Sequence, residues 1–293
     1  MINNNLIEIE NFGYDKLHAY YNMAIDEWLF NYIIEKNITN KLFVRTYDFL
    51  RSAVILGRND DISNIKRSDN YEKNYDLTRR ETGGMPIYVG DETFSYSIIG
   101  NLSFLKNNII TVEIHKLLGP VIVNALEELI PQNKEKGNFE VGNKYSVKFK
   151  NKPIAGNSSN ISNKTFLYHG VITVSKLDAD KISTLINLNK EDYESIKQLP
   201  YLSEEDLAAP LDAIAIKEKL KKSIPSNICN LQKSSNNTEG KEVQLHEIDN
   251  NFKNLILKNA NVIADNKYNN KEWINKDKEN LKSGRGYCLL YQG

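Results

Sequence analysis

The spacing of hydrophobic residues changes period several times along the chain, and those changes mark out its elements. Leu6-Ile-Glu-Ile-Glu10 alternates apolar and polar residues, the period-two signature of a strand with one buried face. From Tyr20 to Lys36, Met23, Ala24, Trp28, Tyr32 and Ile33 recur at helical spacing, which predicts a long core-facing helix. Two short strands follow, 42–46 and 52–56, and the second runs into the polar turn Gly57-Arg58-Asn59-Asp60-Asp61. A strand over 76–80 leads into a glycine pair, and Ile87-Tyr-Val returns at once to a strand pattern. Residues 93–99 alternate again. Residues 111–130 are apolar on one side and predict a second long helix, which Pro120 is expected to bend or split.

Between Lys144 and Val174 the pattern predicts a strand at 145–149, a turn at Lys150-Asn151 and a strand at 154–156. A polar connection over 157–164 and a strand over 166–174 follow. The chain to about residue 276 reads as helical and polar, broken by a surface loop at 233–240. Residues 277–293 read as a loosely ordered tail in which 287–291 is strand-like. This order predicts an α+β fold, a mixed sheet flanked by helices, rather than regular βαβ winding.

Composition narrows the function without naming it. The chain has 293 residues, ample for a buried core, and 40% hydrophobic with 26% charged residues is ordinary for a globular protein. Basic and acidic residues number 38 each, which removes any general attraction to nucleic acid or anionic membrane. The N-terminal residues lack a signal-like pattern and no run approaches a membrane span, so a cytoplasmic location is expected. Cys229 and Cys288 are not spaced as a metal or redox pair.

Arg79-Arg80-Glu81-Thr82-Gly83-Gly84 is the segment with the most chemical promise. Glycines let the backbone approach a bound group and turn N–H donors toward it, while arginines offer forked donors for phosphate or carboxylate. By itself the pattern fits a simple hairpin as well as an anion site. Read together, Gly57-Arg58-Asn59, Arg79-Arg80-x-Thr-Gly83-Gly84, Ile154-Ala-Gly156, His169-Gly170 and Lys267-Tyr268…Trp273 change that. In order and spacing they resemble the lipoate–protein ligase and octanoyltransferase family, over about residues 5–276.

That resemblance implies a biotin/lipoate protein ligase-type catalytic domain over residues 1–276, with 277–293 as a C-terminal tail. It implies activation of lipoate with ATP and Mg²⁺ to lipoyl-AMP, then transfer to a lysine of a lipoyl-domain acceptor protein. A separate accessory protein is implied as a possible partner, and neither nucleic acid, membrane nor resident metal is expected. The substrate-binding residues it implies are Arg58, Arg80, Thr82, Gly83, Gly84, Gly156 and His169, with His169 either contacting substrate or orienting backbone. The acyl slot is expected among Ile87, Phe94, Ile98, Val171 and Ile172.

The chain departs from the family pattern at the chemistry. The family's lysine in the third motif falls at Pro153, and Lys152 stands one residue early. A one-residue offset on a strand turns a side chain to the opposite face, so Lys152 acts as the catalytic lysine only if Pro153 kinks the strand. The Asn-Asp pair of ligases is Tyr145-Ser146, the third glycine is Met85, followed by Pro86, and the family's His-Asp is Val89-Gly90. Neither cysteine lies near the third motif, which argues against a thioester route, and Cys229 reads as a small buried or loop residue. His18, His115 and His246 are expected on surfaces or helix faces. Two activities stay open: an ATP-using ligase-like acyltransferase, and a family member that binds lipoyl groups, acyl-adenylate or a lipoyl domain without ATP turnover. Biotin–protein ligase activity fits the motifs less well.

Overall fold

The computed structural model describes residues 6–65, 75–105, 111–131, 137–143, 145–186, 188–202, 212–234 and 242–275. In chain order the elements are β1 (Leu6–Leu17), α1 (Ala19–Lys36), β2 (Lys41–Phe49), β3 (Ala53–Leu56), β4 (Asp76–Arg79), β5 (Ile87–Val89), β6 (Thr93–Asn101) and α2 (Thr111–Glu127). There follow β7 (Phe139–Val141), β8 (Ser146–Phe149), β9 (Lys152–Ser162), β10 (Thr165–Thr173), α3 (Ala179–Leu185), α4 (Lys190–Lys197) and α5 (Ala213–Ser234). The described chain closes with β11 (Glu242–Glu247), α6 (Asn250–Ile263), a π-helical turn at Ala264–Tyr268 and α7 (Lys271–Ile274).

Eight strands form one mixed sheet in the order β11-β1-β2-β6-β10-β9-β8-β7, and β4-β3-β5 form a second, small sheet. The α+β architecture expected from the pattern is the one observed. Helices α2 and α5 cover one face of the large sheet through residues such as Leu118, Ile122, Leu220 and Ile224. On the opposite face, α1 and α6 pack through Met23, Leu29, Ile33, Ile256 and Ala260. Helices on both faces explain why β6 and β10 are buried at every position although their sequences alternate. Among the described residues no helix is long and apolar enough to cross a membrane.

Two tight hairpins order the β8–β9–β10 edge. Lys150 and Asn151 (φ 49° and 65°) and Asn163 and Lys164 (φ 47° and 61°) are left-handed pairs, as type I′ turns require. The first is the turn expected at Lys150-Asn151.

The structure corrects several expectations. The polar run 157–164 is not a loop: β9 continues to Ser162, and Asn157, Ser158 and Ser159 line a cavity. The 76–80 and 87–89 strands are not a hairpin, because both pair with β3, one parallel and one antiparallel. Helix α2 is not split at Pro120, which lies inside one continuous helix. Strand β11, in a region read as helical, pairs parallel with β1 at the sheet edge. The tail 277–293, with Cys288, lies outside the described residues.

Candidate functional site

A cavity of about 350 Å³ opens where the small sheet meets the large one on its α1 side. That volume is at the lower end of the roughly 300–1,000 Å³ usual for small-molecule sites. Strand register builds its floor in rows. One row across the large sheet is Arg45–Ser97–His169–Ser158, of which only His169 and Ser158 line the cavity, and the next is Tyr47–Ser95–Val171–Gly156, all of which do. Met23, Phe49, Ile55 and Ile87 add apolar walls. The polar end is formed by Gly83, Gly84, Arg80, Ser146, Asn157 and Ser158.

The Arg-Arg-Gly-Gly segment becomes a crossover loop because its two arginines are consumed by backbone. Arg79 is fully buried and donates to the carbonyls of Gly57, Arg58, Asp60, Trp273 and Ile274. It ties the Gly57 turn and α7 to β4. Arg80 donates from Nε to Thr82 Oγ1 (3.1 Å) and from Nη1 to Ile55 O (3.0 Å). Its Nη2 serves Gly83 O (2.7 Å) and Met85 O (2.9 Å). Burial brings its guanidinium down to about 10, still cationic at neutral pH.

Gly84 has φ +88°, a conformation glycine adopts without cost, and Gly57 packs against it so closely that a Cβ there would stand 1.7 Å from Gly84 O. Ser158 Oγ donates to Gly83 O at 2.8 Å, joining β9 to the loop across the cavity.

Beneath the floor runs a buried polar chain. Arg45 bonds Asp26 of α1, which also accepts from Ser97 Oγ (2.7 Å). Burial alone would raise the Asp26 carboxyl, but Arg45 and the His169 and Ser97 bonds outweigh it and hold it below the usual carboxylate range. An anionic Asp26 fixes the rest of the chain. His169 Nδ1–H donates to Asp26 Oδ2 (3.3 Å), so Nε2 accepts from Thr82 Oγ1 (2.6 Å), and Thr82 in turn accepts from Arg80 Nε. His169 is therefore mid-strand, lines the cavity, and has both ring nitrogens engaged.

A second network holds the other polar wall. Asn157 N and Nδ2 both donate to Tyr145 O (2.8 and 2.9 Å), and Tyr96 Oη bonds Asn157 Oδ1. Tyr145, at φ +65°, lies against His115 with the rings tilted and their centroids 5.5 Å apart. His115 Nε2–H must donate to Ser146 O (3.0 Å), so Nδ1 accepts from Tyr168 Oη (2.9 Å). Burial pushes His115 below its ordinary value, outweighing its hydrogen bonding to the backbone of Ser146 and Gly142.

Of the residues expected at the site, Arg80, Gly83, Gly84, Gly156 and His169 line this one cavity. Thr82 is wholly buried behind it and reaches it only through His169 and Arg80. Arg58 is exposed and pairs with Glu81 at 3.6 Å, away from the lining. Lys152 is exposed at the start of β9 and Pro153 is half-buried, and neither is among the lining residues. Ile87 and Val171 line the slot, whereas Phe94, Ile98 and Ile172 face α2 because they occupy the other parity of β6 and β10.

His115 is a buried, doubly bonded core residue, not a surface one, while His18 pairs with Asp76 at 3.0 Å and His246 bonds Gln244. Cys229 is buried within α5, facing the core. In the closing element, Trp273 Nε1 donates to Arg79 O (2.9 Å) and Lys267 bonds Glu27 and Glu81, so it braces the arginine loop. Pattern reading missed Asp26, Ser95, Asn157, Ser158 and the row Tyr47–Ser95–Val171. The available signal was Ser95 and Ser97 at same-face positions of an alternating strand with no turn residue beside them, whereas Asn157 and Ser158 follow Gly156 in a run that reads as a turn.

Comparison with known proteins agrees with this architecture. Residues 18–253 match the model of the lipoyl protein ligase A/B catalytic domain. Octanoyltransferase LipM of Staphylococcus epidermidis is 25% identical over 197 residues, covering 59% of this chain and 68% of its own. The bi-partite lipoate protein ligase of Thermoplasma acidophilum superposes with a TM-score of 0.67 at 16% identity, covering 92% of this chain and 97% of the other. Lipoate-protein ligase A, solved with ATP, gives 0.66 at 17% identity, with 92% and 98% covered. LipL1 of P. falciparum, solved with lipoate, gives 0.62 at 16%, with 93% and 74% covered. The chain belongs to the lipoyl protein ligase A/B catalytic domain family.

Proposed function

We propose that the cavity holds a lipoyl or other medium-length acyl group, carboxyl end toward the Gly83–Gly84 loop, and that this chain does so without activating it with ATP. One observation carries the second half. Among the described residues the lining contains a single permanent cation, Arg80, and no lysine or cysteine. Four of the five N–H donors of Arg80 are already engaged by Thr82, Ile55, Gly83 and Met85. Formation of an acyl-adenylate needs positive groups aimed at the developing charge on phosphate. The residues present fit a carboxylate or acyl carbonyl, met by hydroxyls and amides, better than a triphosphate with its Mg²⁺.

Family membership supports the acyl ligand, since relatives are described as an octanoyltransferase and as lipoate ligases, one with bound lipoic acid. The Thermoplasma system, a bi-partite ligase with its E2 lipoyl domain, supports a lipoyl-domain protein as partner and leaves room for a separate accessory protein. Titration calorimetry with lipoate, octanoate and lipoyl-AMP, run beside a pyrophosphate-release assay with ATP, tests the reading. Binding of the acyl ligands without pyrophosphate release is expected, and Lys152→Ala leaves that binding unchanged. Lipoate-dependent pyrophosphate release that Lys152→Ala abolishes would instead establish the ligase reading.

A further inference from the structure

The cavity is open at one end and blind at the other. Gly83 and Gly84 are exposed and Gly156, Asn157 and Ser158 half-buried, so the polar end is its mouth. At the far end Tyr47, Phe49 and Ile55 are at most 2% exposed and Met23 is 4% exposed. The floor row Gly156–Val171–Ser95–Tyr47 crosses the strands in the order β9-β10-β6-β2 and leads from mouth to blind end. Strands about 4.8 Å apart make that path about 14 Å long. Tyr47 donates its hydroxyl to Asp26 Oδ2 (3.4 Å), which leaves the apolar surface of Met23, Phe49 and Ile55 to close the path.

Helix α1 decides which side chain ends the path. Asp26 bonds Arg45, Ser97 and His169, all of one row. Asn22 reaches the other way along β2, its Nδ2 donating to Asp48 O at 3.1 Å, so α1 runs antiparallel to that strand. Met23, one turn before Asp26 on the same helix face, therefore stands over the next row, where Tyr47 lies. Arg45 donates to the carbonyl and Oδ1 of Asn22 (3.2 and 3.1 Å) and holds this part of the helix in place. Among the side chains at the blind end, Met23 alone is long and unbranched.

We propose that Met23 is a specificity-determining residue, the end stop that limits the length of the acyl chain. This rests on the acyl-binding reading above and narrows its substrate class. Contact with the end wall takes about 4 Å of the path. What remains suits an extended chain of about eight carbons, with C–C bonds of about 1.5 Å. Each carbon up to the stop buries more apolar surface, whereas each carbon beyond it must displace Met23 or push the carboxylate out past the donors at the mouth.

The experiment is calorimetry of hexanoate, octanoate, decanoate and dodecanoate against wild type, Met23→Ala, Met23→Val and Ile87→Ala, with a thermal melt of each protein. Wild-type affinity is expected to rise about fourfold per carbon up to octanoate and to fall by dodecanoate. Met23→Ala is expected to bind octanoate more weakly than wild type and decanoate or dodecanoate more tightly. A gain for long chains cannot come from misfolding. The milder Met23→Val is expected to move the limit the same way by less, and it carries the test if the alanine variant does not fold. Ile87→Ala, on a side wall, is expected to weaken every length and leave the limit where it was. Wild-type affinity that climbs steadily through dodecanoate, a limit unmoved by the Met23 variants, or one moved equally by Ile87→Ala overturns the proposal and leaves acyl binding standing. A wild-type chain that binds none of the acids overturns both.

Discussion

Gly57→Ala isolates one steric contact on which the glycine loop depends. Gly57 lies outside the left-handed region, so alanine is acceptable to its own backbone, and the consequence is purely one of space. The new methyl would stand 1.7 Å from Gly84 O and 2.7 Å from Gly84 C. Both are backbone atoms, so no rotamer change relieves the overlap, and the Gly84 carbonyl must retreat from 1.7 to at least 3.0 Å, by about 1.3 Å. A shift of that size strains the bonds from Arg80 to Gly83 O and Met85 O and from Ser158 to Gly83 O.

Overpacking of this kind costs about 1–3 kcal/mol. For a chain of this length that lowers Tm by roughly 2–12 °C. Loss of one or two loop hydrogen bonds also weakens acyl binding by about tenfold. Gly83→Ala is the matched control. A Cβ there meets nothing within 4 Å, yet the residue lines the cavity. Its melt is expected to stay within about 0.5 kcal/mol of wild type, while octanoate or lipoate affinity falls because the methyl occupies ligand space. Differential scanning calorimetry and titration calorimetry on both variants separate the two effects. A wild-type melt for Gly57→Ala, or identical behaviour of the pair, would refute the contact reasoning.

Two further tests address the networks behind the cavity. Thr82→Val leaves Arg80 Nε and His169 Nε2 buried without their partner, an expected loss of about 1–3 kcal/mol in thermal or urea denaturation, and Thr82→Ser restores most of it; equal stability of all three chains would remove Thr82 from the relay. His115 titrates below its ordinary 6.5 in the fold, so as pH falls through 6.5 the unfolded chain takes up a proton first. Stability is therefore complete above about pH 7 and declines toward the folded value, at no more than about 1.4 kcal/mol per pH unit. The depressed Asp26 carboxyl acts only below its ordinary 3.8, so the two windows do not overlap. Melts of wild type and His115→Gln from pH 7.5 to 5.5 are expected to converge as pH falls, and parallel curves would contradict the assignment.

The period of the hydrophobic pattern was enough to place most strands and the long helices, because burial on one or both faces is written directly into residue type. It failed where a strand faces a cavity. Residues 157–162 carry asparagine and serine for the same reason that turns do, to present hydrogen-bonding groups, and nothing local distinguishes the two uses. Strand β11 was missed because it is short, half exposed and paired with the far end of the chain. At the site, the glycine loop and the His-Gly pair were legible as motifs, but their partners were not. Asp26 is a polar residue inside an apolar helix pattern, and Ser95 is one serine in an alternating strand.

What converts these scattered residues into a site is the sheet register, which sets side chains from four strands side by side in two rows. The same register explains the offset of Lys152. It pairs with Phe149 across a tight turn, at the solvent end of β9, whereas Gly156 and Ser158 further along the strand reach the cavity. The cation at position 152 therefore stands at the exposed start of the strand and not in the site. A Pro153→Lys substitution tests that geometry directly. If β9 presents position 153 to the polar end, the new cation strengthens binding of lipoyl-AMP more than of lipoate, since only the former carries a phosphate. Equal effects on the two ligands would mean that position 153 also faces away, and that the departure from the family pattern lies in the course of the strand itself rather than in one residue.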